Sequence, residues 1–167
     1  MPTALAARVV AAHGGAGATT LATHLAAQLQ AAVEEPQLDE AGRLVGAGER
    51  ANGQRQLASW GQVPAVVVAS GTAYGTKRAV ARSGELRTRY GVPVVVAVVA
   101  DGPLPEPIAV RARLRALGSE VEAVIRVPYV SRWRFEDGPS EIPDRYRAAV
   151  AEIVAVLQQS APDQPAW

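Results

Sequence analysis

Cysteine is absent from this 167-residue chain, and histidine occurs only twice. The first absence excludes disulfides and thiolate metal sites, and the second leaves no material for a histidine-rich metal centre. Aromatic residues are scarce, at 5%. An excess of one charge is lacking too: 17 Lys+Arg against 16 Asp+Glu leave a net charge of +1. No global field therefore draws the chain to nucleic acid or an acidic membrane, and any such binding needs a local patch. The longest of the later apolar runs, 92–100, is far too short to span a bilayer and contains Pro93. Near the N-terminus the early positive charge, Arg8, lies inside the apolar run rather than before it. No secretory signal is read there, and the expected location is cytoplasmic, with no membrane partner.

What the chain does have is apolar surface. Its hydrophobic fraction is 49%, which marks a globular chain long enough to bury one core as a single domain over residues 1–160. The abundance of Ala, Arg, Gly, Pro and Val suits a GC-rich bacterial genome. Four runs, 7–12, 65–70, 92–100 and 123–130, are nearly continuous in valine and alanine, as expected of parallel strands covered on both faces. Helical patterns fall between and after them, at 19–33, 76–90, 107–117 and 143–159. This alternation predicts an α/β fold with a doubly wound, mostly parallel sheet and helices on both faces, so that ligands sit at the carboxyl ends of the strands. The last helix places Tyr146, Ala149, Val150, Ile153, Val154 and Leu157 at helical spacing, a stripe suited to sealing one face of the sheet. The stretch 34–62 is polar, holds Asn52-Gly53, and shows neither an apolar strand nor an aspartate-rich strand end. It reads as a mobile insertion, and 161–167 as a flexible tail.

The first strand runs into a glycine-rich turn and then a helix through His13-Gly14-Gly15-Ala16-Gly17-Ala18-Thr19-Thr20. In phosphate-binding loops of this layout, backbone N–H groups cradle phosphates, a lysine reaches the outer oxygens, and a Ser/Thr hydroxyl holds magnesium. The segment resembles the loop of partition and septum-site ATPases of the ParA/MinD type, Lys-Gly-Gly-x-Gly-Lys-Thr-Thr. His13 stands where that family has its signature lysine, Ala18 where it has the phosphate lysine, and Thr19 matches the magnesium-binding hydroxyl. The resemblance implies a shortened phosphate-loop NTPase-like fold, with His13, Gly14, Gly15, Ala16, Gly17, Ala18, Thr19 and Thr20 around a nucleotide and Thr19 on the metal. A charge-assisted contact contributes roughly 1.5–3 kcal/mol, so losing the cation at Ala18 weakens triphosphate binding by about tenfold to a hundredfold. Hydrolysis suffers more, because transition-state charge needs a preorganised cation. The plain alternative is a glycine turn with no ligand, its glycines serving only positive φ and close helix packing.

Three further places offer chemistry. The 65–70 strand ends in Ser70-Gly71-Thr72, where the resemblance calls for an acidic residue; the simpler reading is a turn whose Ser70 or Thr72 caps the next helix. Asp101, in Asp101-Gly102-Pro103, either approaches a nucleotide base or is simply a turn. Pro128, Arg132 and Arg134 lie in a segment with Tyr129 and Trp133 that resembles the family's base-side loop; the alternative is a tryptophan on the core edge with solvated arginines around it. Arginines on the helices at 76–90 and 107–117 admit a DNA role, with a solvated helix face as the alternative. His24, one turn after Thr20, reads as structural.

The expectation is a degenerate ParA/MinD-like protein, a pseudo-ATPase with no assigned catalytic residue. It would bind ATP or ADP with Mg2+, or no cofactor at all, together with a protein partner or nonspecific DNA. It would be a monomer or weak homodimer, and the family's settings imply DNA segregation, plasmid maintenance or conjugation. An active ATPase drawing on Arg132 or Arg134, and an interaction module without nucleotide, are the other readings.

Overall fold

The computed structural model describes residues 5–36, 63–134 and 141–160. Within these, five parallel strands form one sheet: β1 (Leu5–Ala11), β2 (Ala32–Glu34), β3 (Ala65–Ser70), β4 (Val94–Val99) and β5 (Ala123–Val127). Their order is β2-β1-β3-β4-β5, with β1 flanked by β2 on one side and β3 on the other. Four helices, α1 (Ala18–Leu29), α2 (Ala73–Tyr90), α3 (Ile108–Leu117) and α4 (Asp144–Ser160), follow strands in the alternation that the sequence implies.

The strands are apolar on both faces because helices cover both. Val9, Val66, Val68, Val95, Ala97 and Ile125 pack under α1 and α4, while Val10, Val67, Ala69, Val94, Val96 and Val98 pack under α2 and α3. Each valine so buried contributes about 1.5–3 kcal/mol relative to exposure. The stripe on α4 is buried at Tyr146, Ala149, Val150, Ile153 and Leu157, with Val154 only half-buried at its edge.

Element ends differ from the sequence expectation where a local backbone signal was misjudged. The first helix stops at Leu29 rather than reaching position 33, because Gln30 turns left-handed with φ 50° and ends the helix. That turn frees Ala32–Glu34 to pair with β1 as an edge strand, so a strand exists beside the polar stretch where none was expected. β4 begins after Pro93, which has no N–H for the ladder, and β5 stops before Pro128 for the same reason. The expected mobile insertion lies, from residue 37 to 62, outside the described residues, as does the 161–167 tail. Among the described residues, no helix is long and apolar enough to cross a membrane.

Candidate functional site

In a doubly wound sheet of order 2-1-3-4-5, the crevice for ligands opens at the carboxyl ends of the strands where the order reverses, between β1 and β3. The glycine loop leaves β1 at this point. Gly15 and Gly17 have φ of 72° and 85°, values that side chains resist, so these two glycines are required by the backbone path. Gly17 is the N-cap of α1, and no side chain caps the helix there. The first-turn N–H groups of α1 therefore face the loop without a side-chain acceptor, an arrangement that favours an anion. Gly14, Thr19 and Thr20 are exposed, whereas Ala16 and Ala18 are buried in the core under α1.

Thr19, the residue matched to a magnesium-binding hydroxyl, donates from its Oγ1 to Glu35 Oε2 at 2.9 Å. Glu35 lies just beyond β2, and the reading of the sequence missed it. The signal was the pair Glu34-Glu35 before Pro36, but it becomes meaningful only once β2 is placed beside β1. A hydroxyl and a carboxylate are hard oxygen donors, and Mg2+ characteristically takes one or two protein oxygens and completes its shell with phosphate and water. The donor set thus fits Mg2+ arriving with a phosphate chain. It does not provide a dedicated cage: the described residues contain no cluster of three or more His, Asp or Glu able to hold a metal.

His13 is turned inward. Its Nδ1 donates to the Gly14 carbonyl at 2.8 Å, which leaves the Nε2 lone pair to accept from the Ser70 backbone N–H at 3.1 Å. Ser70 Oγ also lies 3.1 Å from Nε2 and 2.9 Å from Thr72 Oγ1. Thr72 in turn accepts from the Gly75 N–H at 2.9 Å and is the N-cap of α2, the simpler of the two roles open to this turn. The Tyr74 ring meets the imidazole edge-on at 5.6 Å between centroids. His13 thus ties the glycine loop to the β3–α2 turn.

Asp101 is exposed and lines a cavity of about 440 Å³ with Gly71, Thr72, Ala73 and Leu104; no residue of the glycine loop lines it. Pro128 is half-buried just past β5. Arg132 is engaged by Glu141, through its carboxylate at 3.7 Å and its carbonyl. Of Arg134 the structure gives the backbone, in the short helical turn Ser131–Arg134. The neighbouring Trp133 packs on Tyr146 at 4.8 Å and stacks on His24 at 5.9 Å, so this segment folds onto α1 and α4. Burial lowers the His24 pKa and raises that of Tyr146 to about 12, as desolvation disfavours each charged form. The structure therefore gathers His13, Gly14, Gly15, Gly17 and Thr19 at one crevice, and sets Asp101 beside the next turn and Arg132 elsewhere. It adds one cation: Arg78 of α2 directs its Nε at the Ala12 carbonyl, 3.5 Å away, immediately before the loop.

No protein-family model matches the sequence, and no curated protein matches it. Among solved structures, the chain is similar to translation elongation factor SelB from Methanococcus maripaludis in its apo form, with TM-score 0.52 and 12% identity over 96% of this chain and 35% of that one. It is also similar to Roco2 RocCORdC from Methanosarcina barkeri bound to GDP, with TM-score 0.52 and 14% identity over 100% of this chain and 53% of that one. The chain thus spans about a third and about half the lengths of these two structures. At such identity the likeness is one of fold alone: a five-stranded, all-parallel α/β sheet with helices on both faces.

Proposed function

We propose that this chain is a nucleotide-binding accessory factor of ParA/MinD-like ancestry, a pseudo-ATPase that holds a magnesium nucleotide and hydrolyses it poorly or not at all. The observation that carries this reading is the Thr19–Glu35 contact at the uncapped N-terminus of α1. It supplies the hydroxyl and the negative charge that a Mg2+–phosphate group needs beside a glycine loop. Weak hydrolysis follows from what stands at the other two places: a buried Ala18 for the lysine, and Ser70 rather than a carboxylate at the end of β3. Bound Mg2+ would neutralise phosphate charge, while the chain's own groups would orient the phosphates.

A setting in DNA segregation, plasmid maintenance or conjugation extends from the loop's likeness alone. The helix arginines give a DNA surface little support. Arg82 is buried and paired with Glu85, Arg87 pairs with Glu120, and Arg113 donates to the Ala73 carbonyl and Thr76 Oγ1. A second reading, an interaction module, draws on exposed apolar side chains around the 440 Å³ cavity: Leu104 lines it, while Tyr74 and Ile108 each follow a lining residue.

Calorimetric titration with ADP and ATP, in Mg2+ and in EDTA, tests the first reading. Binding should depend on Mg2+ and weaken on Thr19→Ala and on Glu35→Gln, and phosphate release should not exceed a buffer control. A wild-type chain that binds neither nucleotide would overturn the nucleotide reading. Magnesium-dependent release that vanishes on Thr19→Ala would overturn the weak-hydrolysis part.

A further inference from the structure

The loop is short of positive charge, and the usual suppliers are committed elsewhere. The His13 imidazole is held by Gly14 and Ser70, and Ala18 is packed in the core. The chain's single lysine, Lys77, is exposed on α2. Arg132 is occupied by Glu141. Among the described residues, the counter-charge for an anion at Gly14–Thr20 is therefore to be sought in an arginine that the fold brings to the end of β1.

We propose that Arg78 is that residue: its guanidinium supplies the cation that recognises the phosphate chain of a nucleoside di- or triphosphate held by the glycine loop. This inference rests on the nucleotide reading above. Arg78 sits in the second turn of α2 and is half-buried, with its Nε donating to the carbonyl of Ala12, one residue before the loop begins. That bond is long, at 3.5 Å, so it anchors the side chain weakly and leaves the group free to turn toward an arriving anion. No carboxylate among the described residues pairs with Arg78, whereas Arg8, Arg82, Arg87, Arg126, Arg132 and Arg147 each have one. Its Nη groups, uncommitted among the described residues, offer the planar fork that matches two phosphate oxygens. A guanidinium also keeps its charge at every physiological pH.

The role is one of binding and positioning. The α2 helix begins at the turn that His13 grips, so the loop and the Arg78 helix are tied at one point, through Ser70 and Thr72. A cation mounted on α2 thereby keeps a defined place relative to Gly14–Thr20, although 66 residues separate Arg78 from Ala12 in sequence.

The test is calorimetric titration of the full chain with Mg-ADP and, separately, with inorganic pyrophosphate, at low salt. Arg78→Ala and Arg78→Met should each weaken both probes by about tenfold to a hundredfold, the loss expected of one charge-assisted contact, and Arg78→Lys should restore part of it. The effect should be similar for the two probes, since only phosphate is common to them, and the variants' affinities should respond less to added salt. Arg115→Ala, an exposed arginine on α3, should leave both affinities unchanged. Arg78→Met keeps the apolar stem, so a folded variant is available should Arg78→Ala lose stability. If wild type binds both probes and the Arg78 variants bind them equally well, the assignment of Arg78 is overturned while the nucleotide reading stands. If wild type binds neither probe, both are overturned together.

Discussion

Replacing Gly75 by alanine puts the site's geometry to a direct test. Gly75 lies in the first turn of α2, and a methyl group added there would fall well inside contact distance of the Ser70 carbonyl and Oγ and 3.0 Å from His13 Nε2. Two of these three atoms are fixed by the β3 backbone and by the histidine that grips it. The overlap cannot be relieved by turning a flexible side chain, so the cost belongs at or above the upper end of the roughly 1–3 kcal/mol typical of overpacking. The Thr72 cap, which accepts from the Gly75 N–H, is disturbed as well, at about 1 kcal/mol. Alanine's better helix propensity returns about 1 kcal/mol. The net loss is about 3 kcal/mol or more, or at least about 6–12 °C in melting temperature for a domain of this size. Gly84, further along the same helix, is the internal control. A methyl group there meets nothing within 4 Å, so Gly84→Ala should stabilise by about 0.5–1 kcal/mol, a rise of about 1–4 °C. Scanning calorimetry of the two variants beside wild type decides the matter. Shifts of the same sign, or a Gly75→Ala variant that melts at or above wild type, would refute the placement of His13 and Ser70 against α2.

Two further outcomes follow from the same structure. His24 stacks on Trp133 and meets Tyr146 edge-on, with Arg147 on the adjoining cavity wall, and burial lowers its pKa from the ordinary 6.5. The unfolded chain therefore takes up a proton that the folded chain resists: stability is full above that ordinary value and is lost as pH falls below it. The urea midpoint should drop between about pH 7.5 and about pH 5.5, and His24→Gln should flatten that drop; an equal drop in both proteins would refute the account. ATP, in turn, should not drive face-to-face dimerisation, because His13 is bound to Ser70 of its own chain rather than extended toward a partner. Sedimentation velocity with and without Mg-ATP tests this, and an ATP-dependent dimer that persists in His13→Ala would contradict it.

The strands and helices were legible because their signals are local. Runs such as Val66, Val67 and Val68 can be stable only when covered on both sides, and the spacing of Tyr146, Ala149, Val150 and Ile153 fixes a helical face. Gly15 and Gly17 announced a backbone path that other residues resist. The end of α1 was misjudged because Gln30 adopts positive φ without a glycine to signal it, and that error concealed β2.

The amino-acid order by itself determined the alternation of strand and helix, the two buried faces of the sheet and the glycine turn after β1, since each depends on residues within a turn or a strand of one another. Only the tertiary structure decided that Glu35 meets Thr19, that His13 grips Ser70, that Arg78 reaches Ala12 and that Trp133 lies on Tyr146. These partners stand from 13 to 66 positions apart along the chain. What joins them is the order in which the strands line up: seating β1 between β2 and β3 brings the ends of all three to one crevice, and no local pattern in the sequence encodes that order.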